Sequence, residues 1–297
     1  MEVGLNLSFA VKRWLEPEYL ANMLREDLGV KYVQFTWDLL DPWWPSTYRD
    51  NLAQRWADAF RNEGLVLSGT FSGLASYTYP QLLAPTEELR GISLQYFKRA
   101  IDMTVAMGTD TMGNPLGGMT HSDAYNPERR EVIYRRALES IRELASYGKT
   151  AGLKKILVEP TPILNEFPST PQDCRKFMED LDGSTDIPVL LLIDWGHALM
   201  KPFLKEDADV EVWLEQCHPY IDAFHLQQTD GILDRHWGFT TDGVISVSEI
   251  QDSLEKYGLD ALISFLEAIY PFEMTDEDVF DDVKKSMQYL HDSVRRE

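Results

Sequence analysis

Lys155-Ile156-Leu157-Val158-Glu159-Pro160 and Val189-Leu190-Leu191-Leu192-Ile193-Asp194 are short β-like runs, each closed by a carboxylate, and Thr170-Pro171 marks a helix start between them. Strand, helix, strand is the unit of parallel α/β architecture. Working outward, the same alternation recurs along the chain. It predicts strands at Val3–Leu7, Tyr32–Thr36, Val66–Thr70, Thr109–Met112, Lys155–Glu159, Val189–Asp194, Ala223–Gln227 and Leu262–Glu267.

The intervals read as helices. Ile133, Ala137, Ile141, Leu144 and Ala145 share one face of a 3.6-residue period. Asn126-Pro127 and Thr170-Pro171 each set a capping side chain before a proline, whose missing N–H costs nothing at the first helical position. Ser246-Val247-Ser248-Glu249 and Thr275-Asp276-Glu277-Asp278 have capping-box spacing, with Asp in place of Glu in the second. No linker divides the eight units, so residues 1–297 are expected to form a single (β/α)8 TIM-barrel domain. The alternative is an open doubly wound sheet. That fold would carry a glycine-rich phosphate turn after its first strand, and Leu5-Asn6-Leu7-Ser8-Phe9 has none.

A formal charge of −21 opposes broad attraction to nucleic acid or anionic membranes and favours a small substrate. Cys174 and Cys217 are the only cysteines and have no Cys-x-x-Cys spacing, which suggests neither a disulfide scaffold nor a zinc knuckle. The N-terminus lacks a basic segment followed by a long apolar run, and no stretch reaches bilayer-spanning length. These features lead us to expect a soluble cytoplasmic protein.

A barrel of this kind places its active site at the C-terminal strand ends. Four late strands end in Glu159, Asp194, His225 and Glu267, which should converge on the barrel axis. Three carboxylates in a dry pocket repel one another unless a cation neutralises them. Three oxygens and one imidazole suit Mn2+ first, with Mg2+ or Co2+ as alternatives. Any one of these residues alone would more often be a cap, a surface charge or a core histidine. Four at four successive strand ends are better explained by a metal.

Through Val158-Glu159, Ile193-Asp194-Trp195-Gly196-His197, Phe224-His225-Leu226-Gln227-Gln228-Thr229-Asp230 and Leu266-Glu267, nearly the whole chain resembles the xylose isomerase-like barrel superfamily. Within it, the segments look like those of ketose 3-epimerases. His225 to Gly231 with Asp234-Arg235-His236-Trp237 is similar to the tetrulose-phosphate racemases of erythritol breakdown. The resemblance implies that Glu159 and Glu267 are metal ligands that also transfer protons, one on each face of a substrate carbon. It also implies that His197 meets a substrate oxygen.

The sugar epimerases place an arginine shortly after the metal histidine, whereas Gly231 stands six residues after His225. Arg235 and His236 could supply the missing donors, including a fork for a phosphate, or could simply belong to an exposed loop. In Gly113-Asn114-Pro115-Leu116-Gly117-Gly118, backbone N–H groups and Asn114 could approach an anionic substrate end, although such turns are more often only turns. Trp37, Trp43, Trp44, Phe71, Tyr77 and Tyr79 could wall the pocket, pack a loop or form a homo-oligomer interface. Trp37 is the pocket candidate among them.

The expected function is a divalent-metal-dependent epimerase or racemase of a small sugar or sugar phosphate. Aldose–ketose isomerisation is the nearest rival. A metal-dependent nuclease is opposed by the charge and by a histidine total of six, and a non-catalytic sugar-binding protein would not need opposed carboxylates.

Overall fold

In the computed structural model, which describes residues 1–294, eight parallel strands close into a barrel in sequence order. They are β1 (Glu2–Asn6), β2 (Tyr32–Thr36), β3 (Val66–Phe71), β4 (Thr111–Asn114), β5 (Lys155–Val158), β6 (Val189–Asp194), β7 (Ile221–Leu226) and β8 (Ile263–Leu266). The principal helices that follow them in turn are α1 (Pro17–Asn22), α2 (Ser46–Asn62), α3 (Glu87–Ala106), α4 (Pro127–Ala151), α5 (Pro171–Leu181), α6 (Val210–Cys217), α7 (Val247–Lys256) and α8 (Asp276–Val294). The expected (β/α)8 fold is therefore present. No helix among the described residues is long and apolar enough to cross a membrane.

Ile133, Ala137, Ile141, Leu144 and Ala145 are all buried on the inner face of α4. Full burial of each larger one contributes roughly 1.5–3 kcal/mol. Asn126 Oδ1 accepts the N–H groups of Glu128 and Arg129, and Thr170 Oγ1 accepts that of Asp173, so both proline-linked caps form. Thr275 caps α8 through the Asp278 N–H, but Ser246 makes no side-chain cap at α7 and instead meets Ser248 Oγ at 2.9 Å.

β4 starts two residues later than predicted because Gly108, at φ +76°, and Thr109 form the turn that closes α3. Glu159 and Glu267 lie one residue beyond their strands. Their N–H groups still continue the ladder, to Asn114 O at 3.2 Å and Leu226 O at 2.8 Å.

Successive side chains of a strand alternate between faces, so each barrel strand has an inner and an outer set. Phe71, Leu157, Leu192, Ala223 and Phe265 form a small buried cluster inside the barrel. A Cβ on Gly4 would come within 2.5 Å of the Phe265 ring, and one on Gly113 within 2.5 Å of the Phe71 ring. Glycine at these two places makes room for the aromatics that fill the interior. The larger apolar cluster lies between the outer strand faces and the helices.

Candidate active site and metal centre

Stepping two residues along a strand returns to the same face, so the residues two beyond Leu157, Leu192, Ala223 and Phe265 also point inward. They are Glu159, Asp194, His225 and Glu267. All four are buried, and each offers one ligand atom such that these atoms lie within 4.8 Å of one another. His225 Nδ1 stands 2.9 Å from Glu159 Oε1 and 3.0 Å from Glu267 Oε2. The Phe71 ring meets the imidazole edge-on at 4.7 Å between centroids.

Burial opposes charge on His225, but Glu267 and Glu159 outweigh it and the ring is pushed up to about 10. Burial raises the Glu159 carboxyl. It acts on Glu267 in the same sense, yet the His225, His236 and His197 rings hold that group below its usual value. A charged His225 ring would set an Nδ1–H between the Glu159 and Glu267 carboxylates, where a divalent ion would supply the same compensation. Three hard oxygen donors and one imidazole nitrogen fit such an ion, and the site lacks the thiolates of a structural zinc centre.

A second group joins the first through Gln227. Its Oε1 accepts the His236 N–H at 2.5 Å, which fixes the amide so that Nε2 donates to both Asp194 oxygens, at 3.1 and 3.2 Å, and to Asp234 Oδ1 at 2.8 Å. Asp234 Oδ2 lies 3.1 Å from Nε2 of His197 and 3.1 Å from Nε2 of His236. The Nδ1 atoms of these rings face the carbonyls of Pro160, at 3.1 Å, and Glu267, at 3.3 Å. A carbonyl can only accept, so both rings carry a proton on Nδ1 and turn Nε2 toward Asp234. Burial opposes charge on both, but Asp194 and Asp234 raise His197 well above its ordinary value, and Asp234 raises His236 to about 10. Asp234 is correspondingly held well below the usual carboxylate range, against the effect of its burial. His197, Asp234 and His236 also have the donor spacing of a metal-binding trio.

These residues surround a cavity of about 300 Å³ whose lining includes Glu159, Glu267, His197, Asp234, Arg235 and His236. That volume lies at the small end for ligand sites and matches a small polar molecule. Arg235 is less free than its sequence position suggests. Its Nε and Nη2 both donate to Asp230 Oδ2, at 2.9 and 2.7 Å, and its guanidinium lies 5.1 Å from the Trp237 ring centroid.

Two residues expected at the pocket lie elsewhere. Trp37 is 2% exposed, donates from Nε1 to Thr70 Oγ1 at 3.0 Å and packs on Tyr96 and Phe97. It continues the outward parity of Val33 and Phe35, so it faces α3 rather than the cavity. Asn114 shares parity with Met112 and donates to Pro115 O at 2.5 Å. The glycine loop after it is tied down by Leu82 N–H to Leu116 O and Met119 N–H to Asn165 O, and only its Pro115 lines the cavity.

Sequence reasoning missed Asp234, although the Asp234-x-His236 spacing was visible. Tyr77, one of the aromatics expected near the pocket, does line the cavity, and its hydroxyl donates to Glu166 Oε1 at 2.7 Å. Glu166 was missed and had no local signal. Tyr77 sits in a one-turn helix positioned by Asp38, which accepts the Leu74 and Ala75 N–H groups.

The D-erythrulose 1-phosphate 3-epimerase of Brucella abortus (strain 2308) is 24% identical over 234 residues, spanning 77% of this chain and 74% of that one. A crystal structure from Rhodospirillum rubrum, described provisionally as a xylose isomerase, matches with TM-score 0.97 and 52% identity over 98% of this chain and 99% of that one. The D-psicose 3-epimerase of Clostridium cellulolyticum H10, solved with D-tagatose, matches with TM-score 0.73 and 13% identity over 98% of each chain, a likeness of fold. A family model for the xylose isomerase-like TIM barrel matches residues 24–291, seven of the eight strands and the whole candidate site, so the chain belongs to the xylose isomerase-like TIM-barrel family.

Proposed function

We propose that this protein is an epimerase of a small ketose or ketose phosphate, dependent on a divalent metal. In this reading Glu159, Asp194, His225 and Glu267 hold the ion, with Mn2+ the first choice and Mg2+ or Co2+ as alternatives. The observation that carries it is the placement of two buried glutamates that meet one imidazole nitrogen and both line the cavity. Similar proteins named for 3-epimerisation of D-erythrulose 1-phosphate and of D-psicose support the reaction class.

The chemistry requires removal of a proton beside a ketone and its return from the opposite side. A bound divalent ion would stabilise the negative charge that develops on the substrate oxygens. One glutamate takes the proton as a general base, and the other returns a proton to the opposite face of the enediolate. Burial raises Glu159, which suits a group that must hold a proton for part of the cycle. His197 and His236 line the cavity with their Nε2 atoms on Asp234, so a substrate oxygen would take an Nε2–H from either ring in competition with that carboxylate, and Gln227 holds Asp194 and Asp234 in register. A phosphate would meet Arg235 on the guanidinium edge not engaged by Asp230.

Turnover in deuterated water tests the mechanism. Deuterium should appear on the carbon whose configuration inverts, and Glu159→Gln and Glu267→Gln should suppress inversion once metal occupancy is matched. Inversion without label, with near-normal turnover by both metal-loaded variants, would overturn the two-glutamate mechanism. Label on the neighbouring carbon with a new aldehyde would instead identify an aldose–ketose isomerase.

A further inference from the structure

The four ligands come from the second half of the barrel, yet the ring of His225 is gripped from the first half. Asn6 ends β1 and Gln34 lies in β2, and both side chains point inward and are almost completely buried. Gln34 Oε1 stands 2.7 Å from His225 Nε2 and 2.6 Å from Asn6 Nδ2. Asn6 Oδ1 in turn is 2.9 Å from the backbone N of Ser8 and 2.5 Å from its hydroxyl.

The polarity of this chain has one solution. A backbone N–H can only donate, so the Asn6 atom facing Ser8 is the oxygen. Asn6 therefore turns its NH2 toward Gln34, and the Gln34 atom receiving it must be the carbonyl oxygen. That same oxygen faces His225, so Nε2 must carry the hydrogen. A neutral imidazole with hydrogen on Nε2 has its lone pair on Nδ1, and Nδ1 is the atom that faces Glu159 and Glu267. With Asn6, Gln34 and His225 all buried, water does not compete for these contacts. Phe71 stands against the ring and keeps its plane fixed.

We propose that Gln34, oriented by Asn6 and the Ser8 backbone N–H, is a positioning residue that reserves the Nδ1 lone pair of His225 for a divalent metal. This assignment rests on the metal-centre reading above. Partners of this kind orient a ligating ring and raise its basicity, and losing one typically lowers metal affinity by about 10–100-fold. An apolar filler of the barrel would place no requirement on hydrogen-bond polarity.

The test uses the full chain. Zinc-loaded wild-type protein with 15N-labelled histidine should show His225 with hydrogen on Nε2 and metal on Nδ1; the reverse assignment would overturn the proposal. By calorimetry, Gln34→Met should bind Mn2+ about 10–100-fold more weakly than wild type. Gln34→Glu restores an acceptor of the same length and should return affinity to within a few-fold. Folded Gln34→Met that binds Mn2+ within twofold of wild type refutes the relay while leaving the metal centre intact. Should the methionine variant not fold, Gln34→Glu decides, and binding more than tenfold weaker than wild type counts against the proposal. Wild-type protein that binds no Mn2+, or His225→Ala that binds it normally, removes the metal centre and the relay with it.

Discussion

Proton release on metal binding tests the electrostatics of the centre most directly. In the metal-free protein Glu267 and Glu159 push His225 up to about 10, so at pH 7 the ring is an imidazolium. A divalent ion needs the Nδ1 lone pair and must displace that proton. Between pH 6.5 and 8.5 the neutral fraction grows about tenfold per pH unit. Mn2+ affinity should therefore rise about 100-fold over the two units, or about 3 kcal/mol at 1.36 kcal/mol per unit. Calorimetric titrations in two buffers of different ionisation enthalpy should count at least one proton released per ion at pH 7. The sign for stability is opposite without metal. A histidine whose folded pKa exceeds its unfolded value of 6.5 stabilises fully below about 6.5, and that contribution is lost as pH rises through about 10. The Tm of the metal-free protein should accordingly have a falling contribution above neutral pH, while the Mn2+-loaded protein gains stabilisation as binding tightens. A pH-independent affinity with no proton release would refute the proposed competition between proton and metal.

Two further outcomes separate the roles around the cavity. His225→Ala should weaken Mn2+ binding, whereas His197→Ala should lower turnover with less loss of metal, since His197 reaches Asp194 through its backbone N–H rather than its ring; equal metal loss in a direct binding assay would contradict this division. Arg235→Ala should reduce kcat/KM for a phosphorylated ketose more than for its unphosphorylated analogue, by on the order of 1–3 kcal/mol for a lost charged hydrogen bond. Equal losses for the two compounds would reject phosphate contact.

The sequence by itself determined the repeated strand–helix units, their order and the four acidic or imidazole strand ends. These are local properties: period-2 and period-3.6 patterns, proline-linked caps, and polar residues that stop apolar runs. Strand parity also explains the two misplaced pocket residues. Trp37 continues the outward series of Val33 and Phe35, and Asn114 that of Met112, whereas Glu159, Asp194, His225 and Glu267 each follow an inward residue by two. That distinction could have been drawn from the chain, but only after deciding which parity faced the axis. Closure of the barrel decided the rest. It placed Gln34 beside His225, 191 residues away, and gathered Asp234 with His197 and His236 at the cavity. No local pattern encodes such meetings, because they depend on which strands end as neighbours or face one another across a closed sheet. The sequence named the donors at the strand ends, and the tertiary structure set their hydrogen-bond polarity, which decides which nitrogen of His225 is offered to a metal.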